Sequence, residues 1–453
     1  MRGFNLYIVT YFVLCIGCVE PFDVGPEIIS ASNLEGTLIV EANITNIARN
    51  HTVLLSRMQR VESDSTVNVE EDRFFSANNG VPLPNGLSPD FESGAQVAVH
   101  DGQGNVYEFN EVEPGTYRSN TLFAAQPGNS YVLHVVTNDD QEYRSTEMRT
   151  TFPSVIDSIY AERTVDDRGR EGMGIYVDAS FTEGESKLLR YTFEETYKII
   201  APQWTAFEFE IIRDQTEFIR DPVSGEVVDV RYPDVRLVPR QREERICYRT
   251  DFSNQEILVN ANTLNSNVSQ RNLVRFIGRD NPIISHRYSI LVRQLLVSSA
   301  SFGFYERLRA FSQSESVFSQ VQPGSLEGNV FDIDGDTEVI GYFDVSNEVS
   351  RRLYFNYDDF FPGEPLPRYF GVIDCDRLLS PPIPNPERDG PPSPDGPCPF
   401  PLIDRIKAEL VEYVESNSNP PPICEGPYYV VNTICGDCNI VGSNIVPDFW
   451  VEE

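Results

Sequence analysis

Residues 94–117 read GAQVAVHDGQGNVYEFNEVEPGTY, a stretch that alternates apolar and polar side chains between turns. Apolar residues occupy every second position of its first part: Ala95, Val97 and Val99. This period of two is typical of a half-buried strand. Residues 101–105 have turn composition, the strand pattern restarts over 106–109, and Gly115 supplies a positive φ for a second turn. The stretch therefore predicts successive β-strands joined by tight turns.

The same pattern extends on both sides of this stretch. Residues 38–43 and 52–57 predict the two strands of a hairpin, and alternation returns over 131–135. No helical period interrupts these short strands. We therefore expect a mainly β fold that begins with an immunoglobulin-like or transthyretin-like β-sandwich over residues 36–152.

A long polar insert lies inside this predicted sandwich, between Arg60 and Ser93. It is rich in Asp, Asn, Gly and Pro, and three aromatic residues stand among its acids: Phe74, Phe75 and Phe91. Loops of this length are uncommon unless they bind something or serve as linkers. We consider two interpretations, a contact loop for a partner and a solvated insert with no role.

Beyond Pro153 the strand pattern continues to about residue 370, which predicts a second and larger β-rich domain over 153–370. One segment departs from it, because Phe304, Leu308 and Phe311 recur at spacings of four and three. That period predicts a helix near 299–312 packed on the sheet.

The last region, residues 371–453, is rich in Pro and Cys. Apolar residues at helical spacing predict one helix over Leu402–Ser416. Phe449 and Trp450 close the chain, and a free end would expose both to water. We therefore expect the tail to dock on the second domain.

The first residues predict export and a lipid anchor. Met1 and Arg2 precede an apolar run that ends at Ile16, which is too short to span a bilayer and is typical of a signal peptide over residues 1–17. Gly17-Cys18 resembles the lipobox of bacterial lipoproteins, so we expect acylation of Cys18 and a tether over 18–35. The alternative is a plain signal peptide with an incidental cysteine.

Length and charge narrow the class of protein. A chain of 453 residues exceeds the size of a single core and predicts at least two domains. Its formal net charge of −33 repels phosphate backbones, which argues against nucleic acid as a partner.

Six cysteines remain after the signal and the lipidated position are set aside: Cys247, Cys375, Cys398, Cys424, Cys435 and Cys438. An even set in an exported protein predicts disulfides, at most three, and fifteen pairings stay open. The spacing Cys435-x-x-Cys438 also occurs in redox and zinc sites, but neither a βαβ pattern nor a second ligand pair accompanies it. We expect disulfides here.

The tail carries a family resemblance. Cys435-Gly436-Asp437-Cys438 with the closing Phe449-Trp450 is similar to the end of the lipoprotein family called domain of unknown function 4249, found in Bacteroidota. Further pieces agree in order, among them Gly94-Ala95-Gln96-Val97, Gly328-Asn329 and Gly341-Tyr342-Phe343. The chain departs from the family pattern by a Pro-rich insert that contains Cys398.

The resemblance implies an outer-membrane lipoprotein that faces the cell surface, of a kind commonly associated with TonB-dependent transporters. Glu20 and Asp23, just after Cys18, resemble the acidic signal that directs such lipoproteins to the outer leaflet. No catalytic residues are established for the family, so the resemblance supplies none.

Motifs for catalysis or cofactor binding are not found in the sequence. The four histidines, His51, His100, His134 and His286, show no zinc-protease spacing, and no Gly-x-Ser-x-Gly elbow or phosphate loop occurs. We expect no enzyme activity, no cofactor and no metal. The weak candidates for a cation site are Asp332, Asp334 and Asp336, whose spacing is not that of an EF-hand and which fit a turn before a strand.

Three functions from different classes remain: an accessory or binding subunit beside a TonB-dependent transporter, a free-standing surface adhesin or glycan-binding lipoprotein, and an enzyme. The first is our leading hypothesis.

Overall fold

A computed structural model describes residues 36–60, 87–183, 186–313, 326, 328–335, 337, 339–370, 374–383, 402–419 and 426–452. The predicted signal, Cys18, most of the insert between Arg60 and Ser93, Asp336, Cys398 and Cys424 lie outside these residues. Among the described helices, none has the length and hydropathy needed to cross a bilayer.

The part of the chain before residue 153 consists of short strands, as the alternating pattern predicts. They are β1 (Leu38–Thr45), β2 (Thr52–Arg60), β3 (Leu87–Phe91), β4 (Gln96–Asp101), β5 (Val106–Glu113), β6 (Thr116–Ser119), β7 (Ser130–Val136), β8 (Glu142–Ser145) and β9 (Met148–Arg149). β1 and β2 form the predicted antiparallel hairpin, with Leu38 opposite Arg57.

Longer strands follow. They are β10 (Ser154–Val165), β11 (Glu171–Phe181), β12 (Leu188–Ile200), β13 (Phe207–Arg213), β14 (Glu217–Arg220), β15 (Val227–Arg231), β16 (Asp234–Pro239), β17 (Ile246–Phe252), β18 (Ile257–Asn260), β19 (Val268–Gly278), β20 (Arg287–Leu296), β21 (Val330–Asp332) and β22 (Val339–Asn356). The tail adds β23 (Leu378–Leu379), β24 (Val411–Ser416) and β25 (Tyr428–Asn432).

Four α-helical segments are described: α1 (Ser299–Gln313), α2 (Tyr357–Phe360), α3 (Leu402–Lys407) and α4 (Thr433–Gly436). Short 3₁₀ turns occur at Pro282–Ile284 and Cys438–Ile440. α1 is the helix that the aromatic spacing predicts, and it packs against β12, β18 and β22. The mainly β fold class with packed helices and a disulfide-stapled tail is confirmed.

β22 joins strands from both parts of the chain into one sheet. Its first half pairs in parallel with β1, from Val339 opposite Leu38 to Ser346 opposite Thr45. Its second half pairs antiparallel with β20. A 15-stranded sheet results, with the order β17-β12-β20-β22-β1-β2-β6-β5-β4-β7-β8-β21 along its main path.

Two large apolar cores lie on either side of this crossing strand. One is built by the strands before residue 153 together with α1 and the start of β22, and its largest fully buried side chains include Tyr117, Tyr131 and Phe343. The other is built by β10–β12, β17, β19 and β20 and contains Tyr191 and Tyr288.

Two glycines and an asparagine hold β22 close to its neighbours. A Cβ on Gly341, which has φ of +144°, would lie 2.0 Å from the Val40 carbonyl oxygen. A Cβ on Gly328 would lie 1.5 Å from the Gly341 carbonyl oxygen. The Asn329 side chain both accepts from the Phe343 N–H and donates to its carbonyl oxygen, at 2.8 Å each. Residues from two of the family motifs thus meet in space.

The prediction of one helix over Leu402–Ser416 is wrong. The helix ends after Lys407, Glu409 adopts φ of +53°, and the Leu410 N–H donates to the Arg405 carbonyl oxygen at 2.9 Å. This left-handed residue ends the helix, and Val411–Ser416 becomes β24 beside β25. The apolar residues fit the pattern of a strand as well as that of a helix, so periodicity alone could not distinguish the two.

Candidate functional site

The predicted disulfides are present for four of the six cysteines. Cys247 bonds to Cys438, and Cys375 bonds to Cys435. Cys435 and Cys438 therefore pair with different partners and do not form a disulfide with each other. Cys398 and Cys424 lie outside the described residues.

The end of the tail packs on β17 and β22. The Trp450 ring lies 4.9 Å from Tyr248 and 6.4 Å from Tyr354, centroid to centroid. The Arg352 guanidinium stacks over Phe449 at 3.6 Å, and Lys198 pairs with Glu452 at 3.0 Å. These aromatic and charged contacts cover the two apolar residues that close the chain.

The candidate cation loop forms a local turn. The Asp332 carboxylate accepts the backbone N–H groups of Asp334 and Gly335 at 3.1 Å each, so its oxygens are used within the loop. Asp336 lies outside the described residues. Within the part of the chain that the structure describes, no group of three or more potential metal ligands occurs.

The four histidines lie apart except for one pair. His100 and His134 stack with ring centroids 4.2 Å apart on neighbouring strands β4 and β7. Buried His51 makes a 2.9 Å hydrogen bond with the Phe123 carbonyl oxygen, and burial lowers its pKa to about 4. His51 is therefore neutral at physiological pH and serves packing.

Of the predicted contact loop, the structure describes only its end. Phe91 is the last residue of β3, and its ring is exposed. Phe74 and Phe75 lie outside the described residues.

A nested β-hairpin, residues 207–239, is the first feature that the sequence analysis missed; we call it the hairpin arm. β13 pairs with β16 at its base, and β14 pairs with β15 at its tip. The base is packed, since the Phe209 ring meets Tyr413 at 5.7 Å and Tyr428 at 5.2 Å. Lys407 also pairs with Asp214 at 2.6 Å. The tail thus supports the base of the arm.

The arm tip, residues 217–231, exposes several apolar side chains among charged ones. Phe218 lies opposite Val230, and Val228 is the extra residue of β15 where the register shifts between Ile219 and Arg220. Phe218 is 60% exposed, Val228 is 63% exposed and Val223 at the turn is 95% exposed. Within the described residues β14 and β15 pair only with each other. The turn 221–225, with its Asp-Pro and Gly, was the sequence signal for this hairpin.

The second feature is a cavity of about 370 Å³ where β22 crosses from one group of strands to the other; we call it the junction cavity. One face of β1 and β2 forms its floor, α1 lies on one side, and the loop between β17 and β18 lies on another. Its walls carry both charged and aromatic side chains: Glu41, Arg190, Glu256, Arg293, Phe193, Phe252, Phe304 and Tyr305.

The charges on the cavity wall are organised around Arg190. Its guanidinium binds the Glu256 carboxylate through two hydrogen bonds of 2.6 and 2.9 Å, and it lies 3.9 Å above the Tyr305 ring. Asp344, fully buried nearby, accepts from the Ser301 hydroxyl at 2.9 Å. Burial raises the pKa of Asp344, although Arg190 and Ser301 oppose that rise.

The fold and these two features define a mainly β, multi-sheet protein with a disulfide-stapled tail. A family model, Domain of unknown function (DUF4249), matches residues 21–352, well over half of the chain. The chain belongs to this family. The match ends at Arg352, so the Cys-rich tail that suggested the resemblance lies beyond it.

Other comparisons add little. None of the curated proteins matches the chain. Among solved structures, the chain is similar to trypsin-activated alpha-2-macroglobulin from Escherichia coli, with 10% identity and a TM-score of 0.15. That match covers 59% of this chain and 15% of the macroglobulin. A likeness of this size supports no inference about fold or function.

Proposed function

We propose that this protein is a lipid-anchored, surface-facing lipoprotein of the outer membrane that works by contact with another protein, as an accessory or binding subunit of a TonB-dependent transporter. The N-terminal pattern ending in Gly17-Cys18 supports the anchor, and membership of the family supports the class of partner. No catalytic step is part of this proposal.

The observation that carries the proposal is the arm tip. Exposed apolar groups gathered on one hairpin mark sites of protein contact, because water is displaced from them when a partner covers them. Phe218, Val228 and Val223 are such groups. The free backbone edges of a two-stranded ribbon can also pair with a strand of the partner.

The base of the arm supports this role. Arg240, at the end of β16, is buried and makes ion pairs with both Glu244 and Glu412 of β24. The disulfide between Cys375 and Cys435 cross-links two parts of the tail that supports this base. A tip held on a braced base loses less conformational freedom on binding than a free loop.

The lipid anchor would allow a contact of modest affinity to give a stable complex. Two acyl chains at Cys18 would hold the protein at the membrane, whereas one chain gives only marginal binding. Confinement to the surface that also holds the partner raises its effective concentration. The arm then needs only modest affinity for a stable complex.

The test is affinity purification after mild detergent extraction from cells that express the transporter. We expect the transporter to co-purify with the unchanged protein and to be reduced at least tenfold by combined Phe218→Ser and Val228→Ser. The matched control combines Leu122→Ser and Val155→Ser, since Leu122 is 68% exposed and Val155 is also exposed, both outside the arm.

The outcomes separate the parts of the proposal. A protein that comes down alone while the transporter is present contradicts the partnership and favours a free-standing adhesin or glycan-binding lipoprotein. A transporter retained equally by the arm variant contradicts the arm assignment, and deletion of residues 61–86 would then test the insert. Intact-mass analysis of the membrane fraction tests the anchor, which is wrong if the mature chain does not begin with acylated Cys18.

A further inference from the structure

The junction cavity is large enough for a small ligand. Its volume of about 370 Å³ falls within the range of small-molecule sites, about 300–1,000 Å³. It lies at the crossing of two groups of strands, a place set by the backbone of β22 and not by mobile side chains. The question is which chemistry its walls accept.

Both arginines on the wall are already matched by carboxylates. Arg190 is bound through two hydrogen bonds by Glu256. Arg293 pairs with Glu194 at 3.0 Å and with Glu348 at 3.7 Å. Neither guanidinium is left to attract an anion.

Glu41 is the unmatched charge. It lies in the middle of β1, on the face that Ile39 and Asn43 also present to the cavity. Among the described residues no hydrogen bond or ion pair engages its carboxylate, and its side chain stays accessible from the cavity. Partial desolvation raises its pKa, Arg190 opposes the rise and Glu256 adds repulsion. A bound cation would supply the opposite charge that this carboxylate lacks.

The remaining walls suit a cation with an apolar body. Five aromatic residues line the cavity: Phe193, Phe252, Phe304, Tyr305 and Tyr342. The faces of such rings attract ammonium and guanidinium groups and also pack on hydrocarbon. Tyr305 already holds Arg190 in this way, 3.9 Å from its ring.

We propose that the junction cavity binds a small organic monocation, an ammonium or guanidinium group on an apolar body, with Glu41 as its counter-ion. An anion would meet the free carboxylate, and a neutral ligand would leave that carboxylate unpaired. The proposal goes beyond the contact function and does not depend on it, since no residue of the hairpin arm lines the cavity.

The test uses ¹⁹F NMR of 4-fluorobenzylamine, a cation at neutral pH, and of 4-fluorobenzyl alcohol, its neutral counterpart. We expect the unchanged protein to broaden and shift the amine signal at millimolar concentration and to bind the alcohol at least tenfold more weakly. Glu41→Gln removes the charge while keeping the shape and should weaken amine binding at least tenfold. Glu41→Asp, which keeps the charge, should bind more tightly than Glu41→Gln.

Two further variants keep the test decisive. Glu108→Gln removes a carboxylate from exposed β5 outside the cavity and should bind the amine like the unchanged protein. Leu308→Trp narrows the cavity from α1 while keeping the Glu41 carboxylate and should block binding even if Glu41→Gln folds poorly. Failure of the amine to bind, equal binding of amine and alcohol, or full binding by Glu41→Gln or by Leu308→Trp would overturn the proposal.

Discussion

At the scale of the residue, carboxylates pair with arginines both at the base of the hairpin arm and on the wall of the junction cavity. In the arm base, the Glu412 side chain is 17% exposed and pairs with Arg240. Burial raises the pKa of Glu412 to about 7, with added repulsion from Asp437 and Glu244, while Arg240 opposes the rise. Glu412 therefore takes up a proton when the protein folds at mildly acidic pH.

This proton uptake predicts a pH dependence. A pKa that is higher in the folded state than its ordinary value of 4.5 contributes stability that is complete below pH 4.5 and lost as pH rises through about 7. Glu412 should therefore lower the free energy of unfolding by up to about 1.4 kcal/mol per pH unit within this window. Glu412→Gln should flatten the curve measured by urea denaturation, whereas exposed Glu108→Gln should not. Parallel curves for Glu412→Gln and the unchanged protein would contradict the assignment.

At the scale of the element, the crossing strand β22 depends on glycine. Gly341 lies opposite Val40 in the parallel pair and leaves no room for a side chain. The same strand forms part of the floor of the junction cavity. The cavity and the joining of the strands thus rest on one close approach of two backbones.

Gly341→Ala should therefore lower the free energy of unfolding by more than the positive φ at this position alone predicts. A positive φ costs alanine about 1 kcal/mol, and the clash with the Val40 carbonyl oxygen adds to that. Gly104→Ala is the control, because Gly104 also has positive φ but has no neighbouring atom within 4 Å. Equal losses of unfolding free energy in the two variants would show that the close approach does not matter.

Most strands could be predicted from the sequence, whereas the arm tip and the junction cavity could not. Alternation located β4, β7 and the β1–β2 hairpin because one face of each is buried. The strand β24 was missed because the left-handed Glu409 that ends the preceding helix is not a glycine. The charge of Glu41 inside an apolar strand was visible, but its lack of a partner depends on distant residues such as Arg190 and Glu256, which are 149 and 215 positions away.

At the scale of the whole molecule, one disulfide binds the tail to β17 and a second cross-links the tail itself. Cys247–Cys438 closes a separation of 191 residues, and Cys375–Cys435 closes one of 60. Together they fix the region that supports the arm base. Loop closure alone makes the longer link the more stabilising one by about 1 kcal/mol.

Removal of these links should loosen the tail and the arm. We expect Cys247→Ala with Cys438→Ala to lower the free energy of unfolding by about 2–5 kcal/mol, and the other pair to lower it somewhat less. Limited proteolysis should then cut the arm tip faster in both variants than in the unchanged protein. Unchanged stability and cleavage would show that the disulfides do not hold the tail in place.

The central claim is that the arm tip contacts a transporter at the cell surface. The most direct measurement places a photo-crosslinking amino acid at Val223, which is 95% exposed at the turn, in the full chain in intact cells, with Leu122 as the control position. The account predicts a covalent adduct at Val223, identified by mass spectrometry as a TonB-dependent transporter, and none at Leu122. An adduct with that transporter at Leu122 but not at Val223, or no transporter adduct at either position, would contradict it.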